Sequence, residues 1–336
     1  MESGVLTNDN IKHFGREETR FRTALKLHSM PSDERRQLIE EYQRQSLVAF
    51  APATRKLYNG IIRDFRSWCQ SNGHSDEPPI PALAVAKYVE GLGGKIRPNT
   101  IETRLWAIGE YHRANFVASP TRHRLVELAL KAVKRTYGTA TKQAPPLRKS
   151  QALRVLASLG NSRLELRDKA ALWIASDSWC RASEIVAFRV RDLISQDDGS
   201  SLLFIARSKT DQYGQGAYAY LSSRGTKAVW EWINRAQLSL TDPILVKSQR
   251  GARKAPLDPA TLSRIIKRIT GQKELSAHST RIGGVHDAFS IGCDLASIMI
   301  AGRWNSPEMP ARYGRRILAS QSAAAAVCAA YDQAES

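Results

Sequence analysis

Four short stretches in the second half of the sequence hold side chains of the kinds that phosphoryl transfer uses. Arg181 and Glu184 lie three residues apart in SWCRASEIVAF, so on a helical segment they share a face and the carboxylate can orient the guanidinium. Lys209 sits in IARSKTDQYG, in a polar turn between two stretches of strand character. AHSTRIGG places His278 and Arg281 at the start of a helix, and AGRWNSPEMPARYGRR holds Trp304 and Tyr313 nine residues apart. Taken singly, each has a structural explanation. They would be a solvated ion pair, a solvated hairpin lysine, a structural His-x-x-Arg, a core indole and a core or surface phenol.

Taken together they fit one reaction. A phenol can attack a phosphodiester and hold the DNA end covalently, with no call on metal or ATP. Charge builds on the non-bridging oxygens of the pentavalent phosphate, where two guanidinium forks stabilise the transition state more than the ground state. The leaving 5′-oxygen needs a proton, which a lysine or histidine can supply. An indole N–H adds one more donor.

Such groups need a scaffold, and the surrounding pattern describes one. Residues 1–31 are polar, mixed in charge and without period, as expected of a flexible arm. Residues 32–143 read as an all-helical bundle. PATRKLYNGIIRDFRSWCQSNG gathers Leu57, Ile61, Phe65, Trp68 and Cys69 toward one face, and Asn72-Gly73 ends it. A second helix follows Pro81 and stops at GLGG. A third opens at Pro98-Asn99-Thr100, with Ile101, Leu105, Ile108 and Tyr111 or His112 inward. A fourth, after Ser119-Pro120, is expected to turn Leu125, Leu128, Ala132 and Val133 inward and to show Arg122, Arg124, Lys131, Lys134 and Arg135.

Pro145 and Pro146 break the pattern and place a domain boundary there, so that 144–336 forms the second domain. In it, helical segments flank two strands, SLLFIARSK and GAYAYLS. An Ala-rich helix near 320–332 presents a small apolar face for its own domain or a neighbouring subunit. The fold class is therefore mainly α with a small antiparallel β-sheet.

Charge favours a polyanion as partner, although a ribosome-associated or merely soluble basic protein would carry the same excess. The formal net charge is +18, with 23 Lys and Arg against 15 Asp and Glu in residues 1–147 and 27 against 17 in the remainder. Two separately basic halves suit a protein that grips a duplex from both sides, because neutralising phosphates releases condensed counterions. Base or phosphate contacts are expected from Arg55, Arg63, Arg66 and Arg104 in the first domain. In the second they are expected from Arg264, Lys267 and Arg268 of LDPATLSRIIKRITG. Cys69, Cys180, Cys293 and Cys328 form no CxxC pair, so neither a zinc framework nor a disulfide scaffold is expected. No signal-like or bilayer-spanning run is seen, and a cytoplasmic, soluble protein without a membrane role is expected.

At this point the sequence resembles the tyrosine recombinase (phage integrase) family, in particular its Cre-like branch. The likeness rests on Arg181, Glu184, Lys209, His278, Arg281, Trp304 and Tyr313 in that order, with Trp in place of His at the sixth position. It is strong over about 165–318 and weaker over about 40–140. The resemblance implies a helical DNA-binding bundle joined to a catalytic domain of integrase fold. Tyr313 would be the nucleophile that forms a 3′-phosphotyrosine, with Arg181, Arg281, His278 and Trp304 on the phosphate. Lys209 would be general acid, and Glu184 would support the cluster. It further implies no cofactor, double-stranded DNA with inverted repeats as target, a four-way junction, and a homotetramer on two sites joined by the terminal helix. Two rival readings are a type IB topoisomerase and a non-catalytic DNA-binding relative.

Overall fold

The computed structural model describes residues 31–140, 143–208, 211, 214–247 and 254–334. The arm at 1–31 lies outside them except for its last residue, and so do Lys209 and the tip of its turn. The chain divides into two compact units, Met1–Thr141 and Lys142–Ser336.

Helices α1 (Ser32–Ala49), α2 (Pro52–Ser71), α3 (Ala82–Leu92), α4 (Pro98–Ala114) and α5 (Arg124–Tyr137) build the first unit. Pro52 and Pro98 occupy the first helical position, where the missing N–H is no loss and φ is already helical. Asn72 caps α2 and Gly73 follows at φ +68°, a turn that glycine makes without strain. Phe65 and Cys69 of α2, Val85 and Val89 of α3, and Ile101 and Ile108 of α4 form the buried centre.

Two expected stripes are corrected. Leu57 is exposed, and α2 instead buries Ile61, Ile62, Phe65 and Cys69. In α5 the inward residues are Val126, Ala129 and Val133, while Leu125, Leu128 and Ala132 face outward. The chain first makes a 3-10 turn over Pro120–Arg122, and His123 then caps the helix by accepting from the Leu125 N–H. The buried stripe therefore runs one residue later than the large side chains suggest. A one-residue shift turns a helix by roughly 100°, and the smaller stripe is the one packed on α3.

The second unit holds α6 (Lys149–Ser158), α7 (Arg163–Ser178), α8 (Ala182–Ala187), α9 (Ser223–Ala236), α10 (Pro259–Thr270), α11 (Ala277–Ser290), α12 (Leu295–Gly302), α13 (Glu308–Ser320) and α14 (Ala323–Ala334). Its antiparallel sheet runs β1-β2-β3, with β1 Leu193–Ser195, β2 Ser201–Ile205 and β3 Ala217–Leu221. The two strands read from sequence are β2 and β3. The short β1 adds a third, paired through Leu193–Leu203.

Helix α7 is buried on nearly every side, so no single apolar stripe marks it. It packs against α9, β3 and α11. A smaller cluster joins Ile282, Val285 and Phe289 of α11 to Ile298 and Tyr313, with Trp179 and Trp304 against it. Two glycines allow the close approaches that seat α11. A Cβ at Gly283 would run into the Leu147 backbone, and one at Gly284 into the Trp179 indole. Leu147 N–H donates to the Ser279 carbonyl at 2.8 Å, and Arg148 Nε donates to Asp287 Oδ1 at 2.7 Å. Among the described residues, no helix is long and apolar enough to cross a membrane.

Candidate active site

The site starts where α7 ends. Trp179 takes the left-handed conformation, φ 50°, and turns the chain so that Arg181 becomes the residue preceding α8. Arg181 and Glu184 therefore meet as a helix cap, where the sequence suggested two positions on one helical face. The Arg181 N–H donates to Glu184 Oε2 at 2.9 Å, and Arg181 Nη1 donates to Oε1 at 2.8 Å. This satisfies one of the free N–H groups of a helix start while fixing the guanidinium. Burial works to raise the Glu184 pKa, but the bonds from Arg181 and the charge of Arg303 outweigh it, and the carboxyl sits below its ordinary value.

Helix α11 carries the next pair. Arg281 is only 1% exposed, and each terminal nitrogen is anchored to backbone. Nη1 donates to the Trp179 carbonyl at 2.6 Å and Nη2 to the Gly302 carbonyl. Its Cζ lies 4.3 Å from the centre of the Trp304 ring, within cation–π range. Burial, followed by the neighbouring charges of Arg181 and Arg303, pulls the Arg281 pKa down to about 10, which still leaves a cation at neutral pH.

Tyr313 comes from α13 and is 9% exposed. His278 Nε2 and the Tyr313 hydroxyl share a hydrogen bond of 2.8 Å, and the Trp304 ring meets the phenol edge-on at 5.8 Å. His286 Nε2 donates to the Tyr313 carbonyl at 2.9 Å, and Gly314 leaves room for Phe289. Burial raises the phenol pKa, opposed by Arg281, Arg181 and Arg312. Burial lowers that of His278, with Arg281 and Arg181 acting in the same direction. Both partners of the bond are thus neutral near pH 7, with one proton between them.

A phenol, an imidazole, an indole and a guanidinium now stand in one chain of contacts, and the Arg181–Glu184 pair joins them through Arg303 and the Trp179 carbonyl. Residues 145–317 match the model of the Phage integrase family. The chain belongs to this family. It is 30% identical over 300 residues to the integrase/recombinase xerD homolog of Selenomonas ruminantium, covering 82% of this chain and 87% of that protein. It is 26% identical over 321 residues to recombinase cre of Escherichia phage P1, covering 88% and 92%. Two solved structures share the fold. The Tn1549 transposon integrase in complex with transposon right end DNA superposes with a TM-score of 0.57 at 12% identity, over 82% of this chain and 94% of that one. A lambda integrase dimer bound to a COC′ core site gives 0.51 at 16% identity, over 82% and 75%.

In this integrase-family chain, six of the seven residues singled out from sequence are brought together: Arg181, Glu184, His278, Arg281, Trp304 and Tyr313. Lys209 lies outside the described residues. Between β2 and β3, the Asp211 carboxylate accepts from the N–H groups of Gly214, Gln215 and Gly216.

The six arginines and one lysine proposed for DNA differ among themselves. Arg63 is exposed, and with Arg55 it lines a shallow groove along α2. Arg66 is paired with Asp76 at 2.9 Å, and Arg104 donates to the Tyr88 hydroxyl at 2.8 Å. Arg268 pairs with the buried Asp168, while Arg264 and Lys267 stay exposed on α10.

Three neighbours of the site were not legible from sequence. Trp179 supplies a backbone oxygen, which no side-chain pattern reveals. His286 acts on the backbone of Tyr313. Arg303 stands directly before Trp304 in AGRW, and that adjacency was its one visible signal.

Proposed function

We propose that the chain is a site-specific DNA recombinase that cuts and rejoins strands through Tyr313. What supports this reading above all is the 2.8 Å bond between the Tyr313 phenol and His278, set beside the Arg181 and Arg281 guanidiniums. Tyr313 Oη attacks the scissile phosphorus while its proton passes to His278 Nε2. The bond from phosphorus to the 5′-oxygen breaks, leaving a 3′-phosphotyrosine and a 5′-hydroxyl that takes its proton from Lys209. Arg281 and Arg181, with the Trp304 indole, hold the non-bridging oxygens as charge develops. No metal or ATP enters, because the phosphotyrosine conserves the energy of the broken bond for rejoining.

Rejoining to a partner strand passes through a four-way junction. The target is a duplex with inverted repeats, bound by four copies on two sites. Residues 32–143 serve as the DNA-binding domain and 144–336 as the catalytic one. Helix α14 leaves Val327 and Tyr331 exposed, and a cleft of about 380 Å³ in the second unit is lined by Leu147, Trp179, Ile291 and Ile298. Docking of α14 on the next copy would close such a ring.

The test uses duplexes enriched from a random pool by binding to the Tyr313→Phe variant, nicked at successive positions so that cleavage is trapped. The wild-type chain is expected to form an SDS-resistant adduct, and Tyr313→Phe to bind without forming one. An adduct with Tyr313→Phe would overturn the assignment of the nucleophile. Efficient relaxation of plasmids lacking the enriched sequence would favour the topoisomerase reading.

A further inference from the structure

We propose that Arg303 is a positioning residue for this reaction, holding Glu184 by its second oxygen and tying the loop 178–180 to the end of α12. The inference rests on the recombinase reading and adds to it a residue outside the seven that carry the family likeness. Arg181 occupies Glu184 Oε1 at 2.8 Å, and Arg303 Nη2 reaches Oε2 at 3.1 Å. The carboxylate is thus gripped by two guanidiniums and can offer Arg181 only one orientation. The remaining donors of Arg303 go to main chain and sulfur. Nη1 donates to the carbonyls of Ser178 and Ala301, each at 3.3 Å. Nη2 donates to the Trp179 carbonyl at 3.4 Å and to Cys180 Sγ at 3.3 Å.

The Trp179 carbonyl is also the acceptor for Arg281 Nη1. Arg303 therefore touches the supports of both phosphate-facing arginines, Glu184 for Arg181 and the 179 oxygen for Arg281.

Its backbone makes the choice of residue informative. Arg303 has φ +55°, a left-handed position that glycine adopts freely and a β-carbon resists. Among the described residues its Nε is buried without a hydrogen-bond partner, a second cost. Local folding alone would favour glycine here, so the contacts of the side chain must offset both penalties. Strain of this kind commonly marks a constrained functional position.

Glu184 is faced by Arg181 and Cys180 from the loop before α8, by Arg281 from α11 and by Arg303 from the end of α12. Removing Arg303 takes away one of the cations that keep the Glu184 carboxyl ionised.

The experiment compares wild type, Arg303→Gly and Arg303→Lys in single-turnover cleavage of the enriched, nicked duplex. Arg303→Gly relieves the backbone and removes the clamp. It is expected to bind the duplex within threefold of wild type and to cleave at least tenfold more slowly. Added guanidinium ion should recover part of the rate, and Arg303→Lys should fall between the two. Cleavage by Arg303→Gly within twofold of wild type would overturn the inference. So would a slow rate that guanidinium does not raise. Failure of the wild-type chain to form any adduct would instead sink the recombinase reading.

Discussion

The Tyr313 phenol and His278 Nε2 lie 2.8 Å apart, and the surroundings shift both groups toward neutrality. A buried phenol keeps its proton, and an imidazole beside two guanidiniums resists taking one up. The pair is stable at rest, and approach of a phosphate would draw the proton across.

A pH profile follows from the sign of the His278 shift. With a pKa below the usual histidine value of about 6.5, the proton-accepting form predominates at neutral pH. Adduct formation should be flat near pH 7 and decline only below the ordinary histidine range. His278→Asn should be slower by about 10²- to 10⁴-fold and should lack that limb in single-turnover cleavage. An unchanged limb would point to another base.

Lys209→Ala should slow cleavage of an ordinary duplex. Much of the rate should return when the leaving 5′-oxygen is replaced by sulfur, since a thiolate departs without a proton. Equal loss on both substrates would remove Lys209 as the acid.

Gly302 sits where a Cβ would run into the Trp304 ring, and its carbonyl anchors Arg281. Gly302→Ala should displace both side chains, costing about 1–3 kcal/mol in urea unfolding and most of the cleavage activity. Gly91, in α3, is the control, because a Cβ there meets nothing within 4 Å. Gly91→Ala should raise stability by about 0.5–1 kcal/mol.

In the first unit, His112 is fully buried, accepting from the Ile80 N–H at 3.1 Å and donating from Nδ1 to the Ile108 carbonyl at 2.8 Å. Burial lowers its pKa, although both backbone bonds oppose the shift. Below about pH 6.5 the unfolded chain takes up a proton that the native ring resists. Stability therefore falls with falling pH by at most ~1.4 kcal/mol per unit. His112→Leu strands the Ile80 N–H and should cost about 1–3 kcal/mol at pH 8. The gap to wild type should narrow at pH 5.5, as denaturant titrations at the two values would show.

Helix order and fold class were legible because Pro52, Pro98 and Gly73 punctuate the chain at helix ends and because the polar TDQYGQ separates two strand-like stretches, SLLFIARSK and GAYAYLS. The phase of α5 was not, since small Ala129 packs inward while the larger Leu125 and Leu128 face outward. Close helix contact selected the smaller stripe over the greasier one. For the site, residue types and order pointed to the six residues now found clustered. How they are held was hidden. The cap between Arg181 and Glu184 depends on a left-handed Trp179, and the anchors of Arg281 are peptide oxygens, which every sequence possesses equally.

One such oxygen has an unusual bearing on mutagenesis. The carbonyl of residue 179 receives Arg281 and Arg303 alike, and replacing the indole leaves that atom in the chain. Alanine scanning would register position 179 only through lost packing on Gly284 and a disturbed turn, so the meeting point of two arginines would pass as an ordinary hydrophobic residue. Swapping the 179–180 amide for an ester weakens the acceptor itself, and both arginines should loosen together.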